Sequence, residues 1–320
     1  MEKPLVSISL VTYNQEAYIR QAIEGCLMQQ VDFDYEILIH DDASSDSTPD
    51  IIMEYAQQHP DKIIPIIQSE NQFSKGTEIN AKILIPRARG KYISFLEGDD
   101  YWIDPLKLQK QVDYMETHPE IAMCFTASKH IYSDENKKPW IKRYRNHNSV
   151  CSAKDVILIG GRLVDMGAAV VKCLIFDDLP EWYSYAQIWD LSVPLLSLLH
   201  GKIHYLNEVT SVYRYNTPGS WTQNNVKNYD RRRNNLIKSV KLTESFDEAT
   251  DHQYHRFIQR KHGPMYIEIL LLSASKDEKY DRYYSKLSSL QKLEYHFFNS
   301  LGSFRLWEIK RQFTRFITGY

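Results

Sequence analysis

Short β-branched runs alternate with amphipathic stretches through the first 125 residues, and this alternation confines the chain to strand, helix, strand units with parallel strands and right-handed crossovers. Val6-Ser7-Ile8-Ser9-Leu10-Val11 reads as a strand closed by Thr12-Tyr13-Asn14. Tyr18, Ile19, Ala22, Ile23, Cys26 and Leu27 recur at the spacing of one helical face and predict a helix over 15–30. Residues 36–40 form a second strand, stopped by Asp41-Asp42-Ala43-Ser44-Ser45-Asp46; Ser47 or Thr48 then caps a helix with Pro49 at its first position and Ile51, Ile52, Tyr55 and Ala56 inward. Strand 63–67, helix 77–87 and strand 92–96 continue the pattern, and Asp104-Pro105 opens a helix that turns Leu108, Val112 and Met115 inward. Two acidic loops, at Asp41-Asp42 and Asp99-Asp100, thus follow separate strands at one end of the sheet, the carboxyl edge where open α/β sheets bind ligands.

Past residue 125 the pattern becomes irregular, with a polar surface excursion over 133–152, order again over 168–176, a helix led by Ile188-Trp189-Asp190 and a strand near 202–205. From about residue 226 the chain turns helical and rich in Lys and Tyr, which sets an α/β domain at 1–225 before a mostly helical region at 226–320. With 39 Lys and Arg against 41 Asp and Glu, the net charge of -2 gives no whole-chain reason to bind nucleic acid. Cys26, Cys124, Cys151 and Cys173 are widely spaced and form no C-x-x-C pair, so neither a zinc site nor a disulfide scaffold is indicated. No charged-then-apolar leader opens the chain and no run of about 18 apolar residues occurs, which reads as a cytoplasmic protein, with peripheral membrane contact left open.

Adjacent carboxylates at Asp99 and Asp100 repel one another, and holding both ionised beside a buried strand becomes favourable when a hard cation such as Mg²⁺ or Mn²⁺ sits against them, completed by phosphate oxygens and water. A solvated turn that caps a helix is the plainer alternative. Asp41-Asp42 stands where a strand-end acid accepts from a ribose hydroxyl or base N–H. A dinucleotide enzyme is nevertheless excluded, because Thr12-Tyr13-Asn14-Gln15-Glu16 contains no glycine for a G-x-G-x-x-G turn; no P-loop motif occurs either.

These residues resemble the inverting family 2 glycosyltransferases of the GT-A fold. The resemblance rests on 6–14, on E-I-L-I-H-D-D-A-S-S-D at 36–46, on Gly90-Lys91-Tyr92-Ile93, on the run 97–102 and on Asp104-Pro105-x-Lys107-Leu108-x-x-Gln111, with an echo in Trp189-Asp190, His200-Gly201-Lys202-Ile203 and Val212-Tyr213-Arg214. It implies a Rossmann-like, mostly parallel sheet flanked by helices, with a nucleotide-sugar half at about 1–125 and an acceptor half at about 126–225. It further implies that Thr12, Tyr13 and Asn14 line the base and ribose, and that Asp42 accepts from the base with Asp41 beside it. Asp99 would bind ribose or a metal-bound water, Asp100 would ligate Mn²⁺ or Mg²⁺, and Asp190 would act as catalytic base in a single inverting displacement on a nucleotide-sugar, with UDP the default and GDP or dTDP open. The chain departs from the family where an Ala-Arg-Asn helix start gives way to Asn80-Ala81-Lys82, leaving Lys82 as the basic residue for the nucleotide, and where a His gives way to Asn216.

The acceptor implied is a saccharide or lipid-linked saccharide in surface polysaccharide, lipopolysaccharide or capsule assembly. A sugar-1-phosphate nucleotidyltransferase would need a Gly-rich basic loop at the N-terminus, which this chain lacks, and a non-catalytic nucleotide-sugar binder would not need Asp99, Asp100 and Asp190 together. Trp102, Trp182, Trp189 and Trp221 can stack on sugar rings or pack in cores, with Trp182 and Trp221 expected to be the more exposed. In the tail, Leu306, Ile309, Phe313 and Phe316 share a helical face beside Arg305, Lys310, Arg311 and Arg315, a pattern suited to an anionic membrane surface or to packing on the protein itself. Arg231-Arg232-Arg233 reads as a solvated face, with contact to an acceptor phosphate or to lipid as the alternative.

Overall fold

The computed structural model describes residues 3–133, 137–185, 189–215, 217, 228–273, 278–300 and 304–318. The chain divides into two units: the first comprises Met1–Cys151, Val164–Leu179 and Leu196–Ser220, the second Ser152–Leu163, Pro180–Leu195 and Trp221–Tyr320.

The first unit is built on one ten-stranded sheet: β1 (Val6–Thr12), β2 (Tyr35–Asp41), β3 (Ile63–Ile67), β4 (Tyr92–Glu97), β5 (Tyr101–Trp102), β6 (Ile121–Tyr132), β7 (Trp140–Lys142), β8 (Ser149–Cys151), β9 (Ala169–Lys172) and β10 (Lys202–Tyr215). Their order is β3-β2-β1-β4-β9-β6-β10-β5, with β7 beside β6 and β8 beside β10. β1, β2, β3 and β4 pair in parallel, as do β6 and β10; β9 runs antiparallel between β4 and β6, so all six longer strands point the same way. The sheet is therefore mostly parallel and helix-flanked, as expected, but the insertion of β9 and the length of β10 exceed the sequence reading.

β1 is central because both its faces are covered. Val6, Ile8 and Leu10 face one core layer, and the buried Ser7 and Ser9 spend their hydroxyls on Glu36 Oε1 at 2.7 Å and Asn80 Oδ1 at 2.6 Å. The helices α1 (Ile19–Leu27), α2 (Thr48–Gln58) and α3 (Lys107–Thr117) supply Ile23, Cys26, Ile52, Leu108, Val112 and Met115 to that layer. At α2 the N-terminal N–H of Thr48 is capped by the Asp46 carboxylate at 3.0 Å; neither Ser47 nor Thr48 caps the helix, since Thr48 Oγ1 instead accepts the Gln15 N–H. The helix expected over 77–87 is a π turn at Asn80–Leu84 followed by a 3-10 turn at Ile85–Arg87, because Pro86 offers no N–H to a continuous ladder. Several residues of the sequence pattern prove to be scaffold. The buried Glu36 carboxylate holds the Arg89 turn through its backbone N–H at 2.8 Å and Nε at 2.7 Å, and Gln111 Nε2 donates to the carbonyls of Cys124 and Ala168.

The second unit contains α4 (Ala153–Ile159), the first part of α5 (Trp189–His200), and α6 (Tyr229–Ala249), α7 (His255–Leu271), α8 (Glu278–Ser285), α9 (Ser289–Ser300) and α10 (Phe304–Thr318). Its core gathers Val240, Met265, Tyr266, Ile269, Tyr283, Tyr295, Phe298 and Trp307. The helical C-terminal region is thus present. Among the described residues no helix is long and apolar enough to cross a membrane.

Candidate functional site

The loops after β1 and β2 are knitted into one surface at the carboxyl edge. Asp42 donates its N–H to the Thr12 carbonyl at 3.0 Å. Asn14, in left-handed backbone at φ 50°, donates its N–H to Ser44 Oγ at 2.8 Å and accepts the Ser45 N–H at 2.8 Å. Tyr13 stands 50% exposed between them, a flat ring open to solvent. Asp41 is fully buried, and its carboxylate closes a turn by accepting the Ser44 N–H at 3.0 Å and the Ser44 hydroxyl. The buried Asp42 carboxylate accepts the backbone N–H groups of Gln72 at 2.8 Å and Phe73 at 3.0 Å, tying the loop after β3 to the same edge. A carboxylate has about four acceptor positions, so these two bonds leave Asp42 capacity for a further donor. Behind it, His40 is buried and burial lowers its pKa against the opposing pull of Asp42 and Asp41.

The turn after β4 lies against this surface. Gly98 donates its N–H to the Val11 carbonyl at 2.9 Å, and a Cβ there would fall 2.7 Å from Thr12 Oγ1 and 2.8 Å from Thr12 Cβ, so only glycine lets the turn approach β1 this closely. Asp99 and Asp100 are both buried. Asp99 accepts the Thr217 hydroxyl, and Asp100 Oδ1 accepts the Arg214 N–H at 2.8 Å. The Arg214 guanidinium reaches the Asp99 carbonyl and Gln21 Oε1, and lies 4.5 Å from the Tyr101 ring centre and 5.0 Å from that of Tyr18. Burial, then the charges of Asp99 and Glu97, push the Asp100 carboxyl well above the ordinary carboxylate range, opposed by the Arg214 hydrogen bond.

A buried acidic turn in which burial and neighbouring charges raise the Asp100 carboxyl is the environment that a divalent cation relieves, and its oxygen donors suit Mg²⁺ or Mn²⁺. Among the described residues no group of three close His, Cys, Asp or Glu ligands includes Asp99 or Asp100. A cation here would draw its remaining ligands from phosphate oxygens and water.

A neighbouring cluster escaped the sequence reading. Asp165 accepts His130 Nε2 at 2.7 Å, Lys142 Nζ at 2.6 Å and the Ser128 hydroxyl. Burial alone would raise the Asp165 carboxyl, but Lys142 and His130 hold it well below the usual range. The segment carrying it is pinned by Trp102 Nε1 on the Gly167 carbonyl at 2.7 Å and by Gln111 on the Ala168 carbonyl at 3.0 Å. The Asp165 charge also contributes to the shift at Asp100. Around His130, ring centres lie 4.3 Å away for Trp140, 5.1 Å for Tyr213 and 5.3 Å for Tyr215, while Tyr132 stacks on Tyr215. These residues come from the carboxyl halves of β6 and β10 and from β7, and no local spacing joins them.

Of the other sequence candidates, Lys82 is exposed on the π turn. Asp190, in the first turn of α5, is half-buried and belongs to the second unit. Trp102 and Trp182 are 2% and 3% exposed, so both pack in cores; for Trp182 this corrects the expected exposure, its ring lying edge-on to Phe246 at 5.5 Å. Trp189 is half-buried and edge-on to Tyr183 at 6.4 Å; Trp221 and Asn216 lie outside the described residues. In the tail, Leu306 and Ile309 are exposed, whereas Trp307 is buried and Lys310 pairs with Glu294 at 2.8 Å. An open hollow of about 630 Å³ beside Lys3, Arg89, Lys91 and Asp177 lies at the amino edge of the sheet, away from the acidic turns.

Residues 7–164 match the model of the family described as Glycosyl transferase family 2. An uncharacterized protein of Mycobacterium tuberculosis is 36% identical over 224 residues, 68% of this chain and 60% of that protein, so the chain spans about three fifths of that relative's length. The UDP-Glc:alpha-D-GlcNAc-diphosphoundecaprenol beta-1,3-glucosyltransferase WfaP of Escherichia coli is 36% identical over 113 residues, 35% of this chain and 42% of WfaP. Among solved structures, S. aureus TarS 1-349 in complex with UDP-GlcNAc is similar at a TM-score of 0.56 and 15% identity, over 93% of this chain and 88% of that one. The mannosyltransferase PcManGT from Pyrobaculum calidifontis in complex with GDP-Man and Mn²⁺ is similar at a TM-score of 0.52 and 14% identity, over 96% and 83%. At these identities the likeness bears on the fold, which is the GT-A fold that the sequence leads one to expect.

Proposed function

We propose that this chain, whose residues 7–164 match the glycosyl transferase family 2 model, transfers a sugar from a nucleoside-diphosphate sugar to an acceptor hydroxyl, with inversion at the anomeric carbon. The observation that carries this reading is the buried Asp99-Asp100 turn, whose mutual repulsion calls for a cation, set against the knitted loops of Thr12, Tyr13, Asn14 and Asp42.

In this reading the exposed Tyr13 ring and the spare acceptor capacity of Asp42 receive the base, with Asn14 and Asp99 toward the ribose. Asp41 acts by closing the turn beneath them, and Lys82 lends positive charge to the diphosphate. Asp100 and Asp99 hold Mn²⁺ or Mg²⁺, whose chemistry is to neutralise charge on a departing diphosphate. Asp190 accepts the acceptor's hydroxyl proton as its oxygen bonds to the anomeric carbon and the bond from that carbon to the diphosphate oxygen breaks. UDP is the default nucleotide, supported by the similarity to WfaP, a UDP-Glc-dependent glucosyltransferase by name, and to the TarS complex with UDP-GlcNAc; the GDP-Man and Mn²⁺ bound to PcManGT keep GDP open and favour a metal.

The acceptor proposed is a saccharide or lipid-linked saccharide of a surface polysaccharide. Trp140, 41% exposed, with Tyr213 and Tyr215 offers flat faces of the kind that suit pyranose rings, beside the polar Lys142–Asp165 pair. Membrane contact through the tail is part of the same proposal, supported by Leu290, Leu293 and Phe297 of α9 and Leu306 and Ile309 of α10, all exposed.

The test is release of nucleoside diphosphate from a panel of nucleotide-sugars with Mn²⁺, run beside thermal shifts with UDP, GDP and dTDP with and without the metal. Metal-dependent stabilisation by one diphosphate and turnover of its sugar conjugate support the reading. Stabilisation without turnover leaves a nucleotide-sugar binder, and no response to any diphosphate ends the reading.

A further inference from the structure

The second unit contains a side-chain cluster that the transfer reaction does not use. Asp247 lies in the last turn of α6, and His255 is the first residue of α7. Between them Asp251 and His252 adopt left-handed backbone, at φ 48° and 60°, a conformation that L-residues seldom take in succession. This bend returns His252 over the helix end. His252 Nδ1 lies 3.1 Å and His255 Nδ1 2.6 Å from the same oxygen, Asp247 Oδ2.

Two neutral imidazoles donating from Nδ1 would satisfy Oδ2, but they leave the other half of the carboxylate unexplained. Asp247 is 5% exposed, and its Oδ1 is buried without a hydrogen-bond partner. A buried carboxylate left half-satisfied is costly, and at the carboxyl end of a 21-residue helix it also meets the negative end of the backbone dipoles. Both effects favour a cation. The two histidines are 63% and 53% exposed at their side chains, so the cation has an entry path. One carboxylate and two imidazole nitrogens lie within 4.8 Å of one another, which matches three protein ligands around a tetrahedral ion.

We infer that Asp247, His252 and His255 form a zinc site, three protein ligands and one water, that fastens the end of α6 to the start of α7. Imidazole nitrogen suits Zn²⁺ and disfavours Mg²⁺, which separates this site chemically from the all-oxygen turn at Asp99-Asp100. The role is structural: the ion binds the folded turn and stabilises it by mass action.

The experiment titrates the full chain, stripped with a chelator, with Co²⁺ as a visible stand-in for Zn²⁺, in excess Mg²⁺ to fill oxygen-rich sites. The expected result is one equivalent of Co²⁺ with the intense visible bands of a tetrahedral ion, displaced by Zn²⁺, and a higher melting temperature on Zn²⁺ addition. His252→Ala and His255→Ala, both at exposed side chains, should weaken uptake by about tenfold or more, as should Asp247→Asn, whereas Asp100→Asn should leave the bands unchanged. Equal uptake by the wild type and the histidine variants overturns the site, as does wild type without tetrahedral bands or loss of the bands in Asp100→Asn.

Discussion

Arg214 gives its backbone N–H to the Asp100 carboxylate at 2.8 Å and extends its guanidinium to the carbonyl of Asp99, so one residue at the end of β10 grips both members of the acidic turn. Replacing Arg214 by Ala keeps the backbone bond and removes the guanidinium from Asp99 and from the faces of Tyr101 and Tyr18. A charge-assisted hydrogen bond contributes roughly 1.5–3 kcal/mol. Arg214→Ala should therefore weaken Mn²⁺-dependent UDP binding by about tenfold or more by calorimetry, with Arg214→Lys recovering only part because Lys cannot span both partners.

Asp100→Asn separates stability from function. The Asp100 carboxyl is raised above its ordinary 3.8 by burial and by Asp99 and Glu97, so between those two values the folded chain holds a proton that the unfolded chain has released. Stability contributed by this group falls as pH rises through that window. The neutral amide should raise the melting temperature of the metal-free protein at pH 7 while abolishing the extra stabilisation by Mn²⁺ with nucleoside diphosphate. A lower melting temperature in the variant would contradict the assigned charge.

Asp190→Asn tests the assigned base. It should cut turnover by about 10²- to 10⁴-fold while leaving donor affinity within a few-fold, because a base acts in the transition state and the donor is held by other residues. Near-normal turnover would remove Asp190 from the mechanism.

Lys107 gives a pH signature independent of the reaction. Burial lowers its pKa from the usual 10.5 to about 7, its ammonium reaching Ser94 Oγ at 3.1 Å over the face of Trp102. Between pH 7 and 10.5 the unfolded chain binds more protons than the folded one, so this residue makes stability rise with pH across that window. Lys107→Met should flatten the rise and raise the melting temperature at pH 6, by about 2–4 °C per kcal/mol regained, as measured by calorimetry across the pH range.

How much was legible depends on whether neighbours in space are neighbours in sequence. β1, β2 and β4 were found to within a residue or so because each is a short run that carries its own burial pattern, and the two acidic turns followed from where those runs stop. β9 was missed as an antiparallel insertion because Ala169–Lys172 looks the same in either direction. The Asp165 cluster was invisible because its partners stand 23 to 37 positions away with no shared motif. Lys107 and Gln111 were read within a family pattern, yet what they hold is the interior; a charged residue on an otherwise apolar helix face was the available signal.

β10 alternates its sides as any strand must: Arg214 turns toward the acidic turn, while Tyr213 and Tyr215 turn toward His130. A slip of one position along that strand would exchange the two sets wholesale. The acidic turn and the aromatic surface are thereby mechanically linked through a single run of backbone, and a lineage that alters one by shifting this strand must rebuild the other at the same time.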